Sequence, residues 1–324
     1  MVAWPIGTRI LRTPKGLAYA RGIIGHTAAA PTFQFLLSHG VGHHKEIAWL
    51  PVLPHLAAAL TASKTCAQFI ALDFSGHGKS RSTAAGHRWD TGHGDDVAEV
   101  LTHAHDVDGG TAPLPRVGVG VSMGGAVLCA HELRRPGSFA HLVAIEPPLF
   151  TRVAAKVALT VSRTGANWMA DKAARRRSTW PSRDAARTHI AARGGKRWTS
   201  EALDAFVEHG GLREADDGSV TLACDPRTEG SSMRWPGVPL PDLAQGYTGA
   251  ASFSLFACAE SQFSPIGVPG SGIFFYRNLI APSFPHGGAR FRTLGQGATH
   301  AIGQEQPALL AEAVAQDLRD RGLT

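Results

Sequence analysis

The sequence predicts an α/β fold, a doubly wound and mostly parallel sheet with one helical insertion. Three observations carry this reading. Residues 33–150 switch repeatedly between short apolar runs and stretches with helical spacing. The apolar runs are continuous, as strands covered on both faces require. After Pro147-Pro148 the alternation stops, and it resumes only near residue 252.

Taken in order, Gly16–Gly25 and Phe33–Ser38 read as the first strands, the second running into His39-Gly40. Trp49–Thr61 places apolar residues at helical spacing. Gln68–Asp73 is the next strand, halted by Phe74-Ser75-Gly76-His77-Gly78. Asp95–His103 opens with acidic residues, which suit a helix N-terminus. Val117–Val121 reads as a strand, Met123–Arg134 as a helix and His141–Ile145 as a strand. Residues 151 to about 210 have helical composition, and 215–250 are Gly-, Pro- and Asp-rich return chain. Ser252–Cys258, Ala289–Leu294 and a helix over Gln306–Arg321 complete the pattern. The expected organisation is a core of residues 1–150 and 250–324, with a helical cap over 151–249.

The chain has 324 residues, a formal charge of +6, and 44% hydrophobic against 18% charged residues. No apolar run approaches the roughly 18 residues of a membrane span. The four cysteines, Cys66, Cys129, Cys224 and Cys258, form no Cys-x-x-Cys pair, so free thiols in a reducing compartment are expected, cytoplasm or organelle. No acidic residue precedes Glu46, whereas Arg9, Arg12, Lys15 and Arg21 do. That start suits either a transit segment or, with strands beginning so early, the fold itself. Between 151 and 200, twelve Lys or Arg face only Asp171 and Asp184, a local balance of +10 that leaves the remainder mildly acidic. Such a segment offers an anionic contact or a solvated helical face, and without interleaved aromatics no nucleic-acid partner is expected.

The chemistry-bearing motif is Gly120-Val121-Ser122-Met123-Gly124. It matches G-x-S-x-G, and it lies where that motif needs to lie, between an apolar strand and a helix. A serine there occupies a strained turn that lifts its hydroxyl from the sheet, and small neighbours let the backbones cross. The N–H of Met123, at a helix start, is the expected first oxyanion donor. The second is the N–H of Val41, turned inward by Gly40 in the His39-Gly40-Val41-Gly42 loop. His39 is expected to hydrogen-bond structurally. The base must follow the nucleophile and lie near the C-terminus, which selects His300. Gly118-Val119-Gly120 and Gly76-His77-Gly78 lack the rest of any nucleotide-binding pattern, so no cofactor is expected. The run His103-Ala104-His105-Asp106-Val107-Asp108 has no distant His set to complete a metal site, and none is expected.

Together, His39-Gly40, Asp73-Phe74-Ser75-Gly76-His77-Gly78-Lys79-Ser80, the Ser122 motif and His300 with Glu305-Gln306-Pro307 resemble the α/β-hydrolase superfamily, over about residues 33–150 and 250–320. His43-His44-Lys45-Glu46 with Trp49-Leu50-Pro51-Val52, and Ile145-Glu146-Pro147-Pro148-Leu149-Phe150, are similar to a lipase- and esterase-like branch of fungi and other eukaryotes. That branch includes a peroxisomal lipase and proteins associated with toxin biosynthesis. The sequence departs from the family in the third triad member. An Asp in a Gly-containing loop after the penultimate strand is usual, but this chain has Ala257-Cys258-Ala259-Glu260-Ser261-Gln262 there. Glu260 is one candidate. Glu146, on a strand end where some haloalkane dehalogenases carry a catalytic Glu, is preferred.

The resemblance implies a serine hydrolase acting on a small ester or lipid-like molecule through an acyl-enzyme on Ser122. Carbon–carbon bond or thioester hydrolysis, or a ligand-binding homologue without turnover, are the alternatives. Trp168, Met169 and Trp180 are candidate lining residues of the cap. The sequence leaves the oligomeric state open.

Overall fold

A computed structural model describes residues 3–81, 88–110, 112–151, 168–234, 237–260 and 271–324. Strands β1 (Arg9–Arg12), β2 (Ala18–Gly25), β3 (Phe33–Ser38), β4 (Cys66–Leu72), β5 (Arg116–Val121) and β6 (His141–Ile145) precede the insertion. Helices α1 (Lys45–Trp49), α2 (Leu53–Ala62), α3 (Gly92–Val107) and α4 (Met123–Arg134) alternate with them. With β12 (Ser252–Cys258) and β13 (Arg290–Leu294) they form one eight-stranded sheet, ordered β1-β2-β4-β3-β5-β6-β12-β13. β2 runs antiparallel to both β1 and β4, and every pair from β4 across to β13 is parallel.

Alternate residues of a strand face opposite sides, so β3 sends Leu36 to one core and Phe35 and Leu37 to the other. The first core packs α3 and α4 through Val97, Val100, Met123 and Val127. The second packs α2 and the C-terminal helix through Leu53, Leu56, Leu310 and Val314. Burial on both faces explains why the strands read as unbroken apolar runs. α4 lies close to β5 because Gly120 and Gly125 meet there; a Cβ on Gly120 would sit 2.5 Å from the Gly125 nitrogen.

Between β6 and β12 lie β7 (Leu149–Phe150), β8 (Thr179–Trp180), α5 (Arg183–Ala192), α6 (Ser200–His209), β9 (Leu212–Glu214), β10 (Val220–Leu222), α7 (Pro226–Met233), β11 (Val238–Pro239) and α8 (Leu240–Ala244). Residues 168–174 are also helical. The helices start where side chains accept their free amides: Ser182 from Ala185, Thr199 from Ala202 and Asp225 from Arg227. The segment is less purely helical than its composition predicts, since β8, β10 and β9 form a three-stranded sheet. Strands of two or three residues are too short to leave a period in the sequence. α9 (Ser271–Phe275), a π-helical turn (Tyr276–Ile280), α10 (Ile302–Glu305) and α11 (Pro307–Arg319) complete the chain.

The four cysteines are free and buried. Among the described residues no helix is long and apolar enough to cross a membrane. Much of the +10 segment's charge is answered within the fold: Arg176 pairs with Glu229, Arg183 with Glu214, Arg187 with Asp204 and Arg197 with Glu305. Arg152, Lys156 and Arg163, and the helix expected over 152–167, lie outside the described residues.

Candidate active site

Strand order reverses around β3, because the chain leaves it for β4 on one side and returns to β5 on the other. The carboxyl ends of strands at such a point are where open α/β sheets place ligands. Ser122 stands there, between β5 and α4, with φ 53° and ψ −123°. This left-handed backbone is unusual for a non-glycine residue. It is held by the Ser122 N–H donating to the Ile145 carbonyl (2.8 Å) and by the Ser122 carbonyl accepting from the Ala126 N–H (3.1 Å). The glycines are required by space. A Cβ on Gly124 would sit 2.6 Å from Ser38 Oγ and 2.7 Å from the His39 carbonyl.

Gly40 lies directly against the serine, where an added Cβ would be 3.4 Å from Ser122 Cβ and 3.9 Å from Oγ. The loop it begins turns back through a bond from the His43 N–H to the Gly40 carbonyl (3.2 Å), with Gly42 at φ +72°. Val41 is half-buried and Met123 buried. Met123 begins α4, so its N–H is among those without an intrahelical acceptor.

His39 is wholly buried, and its hydrogen bonds fix its tautomer. Nε2 accepts from the Phe74 N–H (3.1 Å), so Nδ1 carries the proton and donates to the Gly40 carbonyl (2.8 Å). Burial, with His77 close by, holds its pKa well below the usual imidazole range. It braces the loop as a neutral ring. Burial likewise pushes His43 down to about 3, helped by His44, His300 and Arg176, and His77 down to about 3, helped by His93. Next to the Gly40 loop, His39 and His77 thus pack as uncharged imidazoles with their rings centred 5.2 Å apart.

His300 precedes α10, and its Nδ1 lies 2.7 Å from Glu146 Oε2. Glu146 is 1% exposed and follows β6 with φ 47°. Its other oxygen accepts from the Cys258 N–H (2.9 Å), and its own N–H donates to Phe256 (2.8 Å), so both contacts come from β12. A Nδ1–H donated to Glu146 leaves Nε2 as the basic nitrogen. The His300 side chain is 39% exposed, open to a reactant where its partner is not.

Glu260 does something else. Its Oε1 accepts from the Gly297 N–H (2.8 Å), and its N–H donates to the Ala298 carbonyl (2.8 Å). It braces the loop that carries His300, and among the described residues it is Glu146 that meets the imidazole. Arg197 grips the same loop from the insertion, donating to the Gly297 carbonyl (2.8 Å) and facing Glu305 (3.4 Å).

Under α1 lies a buried charge cluster that residue type alone does not reveal. Lys45 Nζ stands 2.6 Å from Asp73 Oδ2 and 3.0 Å from Glu46 Oε1, and all three side chains are fully buried. Asp73 also accepts from the Lys45 and Lys79 amides, and Glu46 from His44 (3.0 Å). Burial alone would depress the Lys45 ammonium, but Asp73 and Glu46 outweigh it and raise its pKa. The cluster ties α1, and with it the Gly40 loop, to the turn after β4. Its sequence signals were the His43-His44-Lys45-Glu46 run and the Asp73 to Ser80 turn, quoted above for the family resemblance only.

Elsewhere, Trp180 packs in the insertion's own core, and Trp168 and Met169 are exposed, so none of the three is placed as a pocket wall. His103 bonds the Tyr19 hydroxyl (2.9 Å) and Asp108 pairs with Arg21, which gives the His/Asp run a structural place at the end of α3.

Residues 35–313 match the model of the family described as the Alpha/beta hydrolase family. Among curated proteins, none matches the chain in sequence. Solved structures do. The peroxisomal alpha-beta-hydrolase Lpx1 of Saccharomyces cerevisiae superposes with a TM-score of 0.68 at 17% identity, covering 99% of this chain and 87% of that one. An E-2-(acetamidomethylene)succinate hydrolase gives 0.65 at 16% identity, over 96% and 99% of the two chains. The thioesterase domain of a curacin biosynthetic pathway gives 0.63 at 16%, over 95% and 98%. At these identities the likeness is one of fold.

Proposed function

The chain belongs to the α/β-hydrolase family, and from that premise we propose that it is a serine hydrolase cleaving a carboxylic ester, acyl or lipid-like, through an acyl-enzyme on Ser122. The observation that carries the reading is the Glu146–His300 bond of 2.7 Å, at the end of the strand paired with the one that Ser122 leaves on a twisted backbone. His300 Nε2 takes the Ser122 hydroxyl proton as Oγ attacks the carbonyl carbon. The Val41 and Met123 amides receive the oxyanion. Collapse of the tetrahedral intermediate breaks the ester C–O bond, and the imidazolium returns the proton to the departing alcohol. Water, deprotonated by His300, then releases the acid. Glu146 supports the imidazolium that forms twice in the cycle.

We propose also that residues 151–249 form a cap on a core of 1–150 and 250–324, since no described residue between 151 and 250 joins the eight-stranded sheet. A thioester is the second reading, supported by the thioesterase domain among the structural neighbours. The test is labelling by a fluorophosphonate at neutral pH, with Ser122→Ala as control, followed by a panel of nitrophenyl esters and acyl thioesters of increasing chain length. An intact fold whose Ser122 takes no label overturns the hydrolase reading.

A further inference from the structure

A cleft whose lining includes neither Ser122 nor His300 lies between the edge of the sheet and the insertion. It measures about 890 Å3 and is lined by Arg12, Lys79, Arg81, Arg183 and Arg213, with Glu208 the one carboxylate. These cations come from five places in the chain: β1, two positions in the turn after β4, α5 and β9. Gly78 and Gly210 complete the wall where a side chain has no room. A Cβ on Gly78 would meet Asp73 Oδ2 at 2.5 Å, and one on Gly210 would meet His44 Nδ1 at 2.7 Å.

The cations divide into two sets. Lys79 is held by Glu46 (3.1 Å) and Arg183 by Glu214 (2.8 Å), so their charge is largely met. Among the described residues no carboxylate pairs with Arg12, Arg81 or Arg213. Arg12 is positioned by backbone, its Nη1 donating to the Lys79 carbonyl (2.6 Å). Three guanidiniums sharing one concavity repel each other, and a concave wall concentrates their field. That arrangement is a cost to the fold that a bound anion removes.

We propose that this cleft binds a small molecule bearing a phosphate or pyrophosphate group. Guanidinium forks match phosphate oxygens in pairs, and three of them suit a group with more than one negative charge. The local amides are already used: Lys79 N–H goes to Asp73, Ser80 N–H to His77 and Arg81 N–H to Gly16. Recognition therefore falls to side chains. The volume suits a ligand of nucleotide size. Leu212 and Ala223, also in the lining, would carry its apolar part. Among the described lining residues the His209 imidazole is the one aromatic ring, and a run of stacking rings of the kind a single-stranded nucleic-acid site uses is not formed there.

The test is calorimetric titration of the full chain with pyrophosphate and with inorganic phosphate, alongside sedimentation with phosphatidic acid vesicles. Pyrophosphate is expected to bind at one site, more tightly than phosphate. The Arg81→Gln and Arg213→Gln substitutions, at exposed positions, should each weaken it by about tenfold. Arg193→Ala, in the basic segment but outside the cleft, should leave that affinity unchanged. Absence of pyrophosphate binding at millimolar concentration overturns the proposal, as does binding that the two variants share undiminished with the native chain. Vesicle binding without pyrophosphate binding overturns it in favour of a membrane surface.

Discussion

Glu146 and His300 are 154 residues apart in the chain and 2.7 Å apart in space. The carboxylate that holds the imidazole is itself held by the Cys258 N–H, and the Glu146 N–H donates to the Phe256 carbonyl, so β12 fixes the residue at both its side chain and its backbone. His300 sits on a loop that Glu260 and Arg197 brace at Gly297 and Ala298.

Glu146→Gln should therefore lower kcat on nitrophenyl esters by on the order of 10⁴, the loss typical of a mis-set imidazole. Glu260→Gln keeps an amide oxygen for the Gly297 N–H and should stay within a few-fold of the native rate. A native rate in Glu146→Gln, or equal losses in the two variants, would reassign the acid.

Two glycines near Ser122 should separate activity from folding. Gly40→Ala adds a methyl at ordinary contact distance, in the space beside the serine hydroxyl, so kcat/KM should fall by tenfold or more (about 1.4 kcal/mol) with little change in Tm. Gly120→Ala forces a methyl into the Gly125 backbone and should cost about 1–3 kcal/mol of stability or more. Urea unfolding and ester turnover, measured on both variants, distinguish the two effects.

Removing Lys45 leaves Asp73 and Glu46 facing each other without water. Lys45→Ala should cost about 3–5 kcal/mol in urea unfolding, as expected when one member of a buried pair is lost. A loss below about 1 kcal/mol would mean that the cluster relaxes into solvent.

Stability should fall on acidification in two stages. His39, His43, His77 and His131 stay neutral in the fold below their ordinary pKa, so each takes up a proton on unfolding once the pH drops under about 6.5. The unfolded state then binds more protons, and stability declines by on the order of 1 kcal/mol per pH unit for each ring. Below about pH 4.5 the carboxylates of Glu46, Asp96 and Asp317 add to the slope. Despite burial, hydrogen bonds and nearby cationic or imidazole partners keep their pKa lowered in the fold, so the stability they contribute is lost as pH falls. Lys45 acts at the other extreme, its raised pKa losing stability only above the ordinary lysine range. A Tm profile flat from pH 7 to 5 would contradict the first stage.

The sheet was readable because its strands are unusually plain. β3, β6, β12 and α4 begin and end where apolar runs and glycines predict. Ser122 was readable because a strained turn needs particular small neighbours, and those leave a motif. The carboxylate that meets His300 was harder to pick out: a Glu at a strand end looks like any polar cap, and the sequence offered Glu146 and Glu260 on nearly equal terms. What separates them is β12's pairing with β6, a relation between residues more than 100 positions apart. The Lys45 cluster was hidden for the opposite reason, because charged residues ordinarily signal a surface. The small β8-β10-β9 sheet left no trace, its strands being shorter than one recognisable period.

Ser122 and Glu146 leave adjacent strands with φ of 53° and 47°, angles that glycine adopts freely and that cost other residues about 1–3 kcal/mol each. The chain would fold more securely with glycine at position 122 than with the serine it has. Ser122→Gly should therefore leave the chain at least as stable in urea unfolding, while removing the hydroxyl on which the proposed turnover depends.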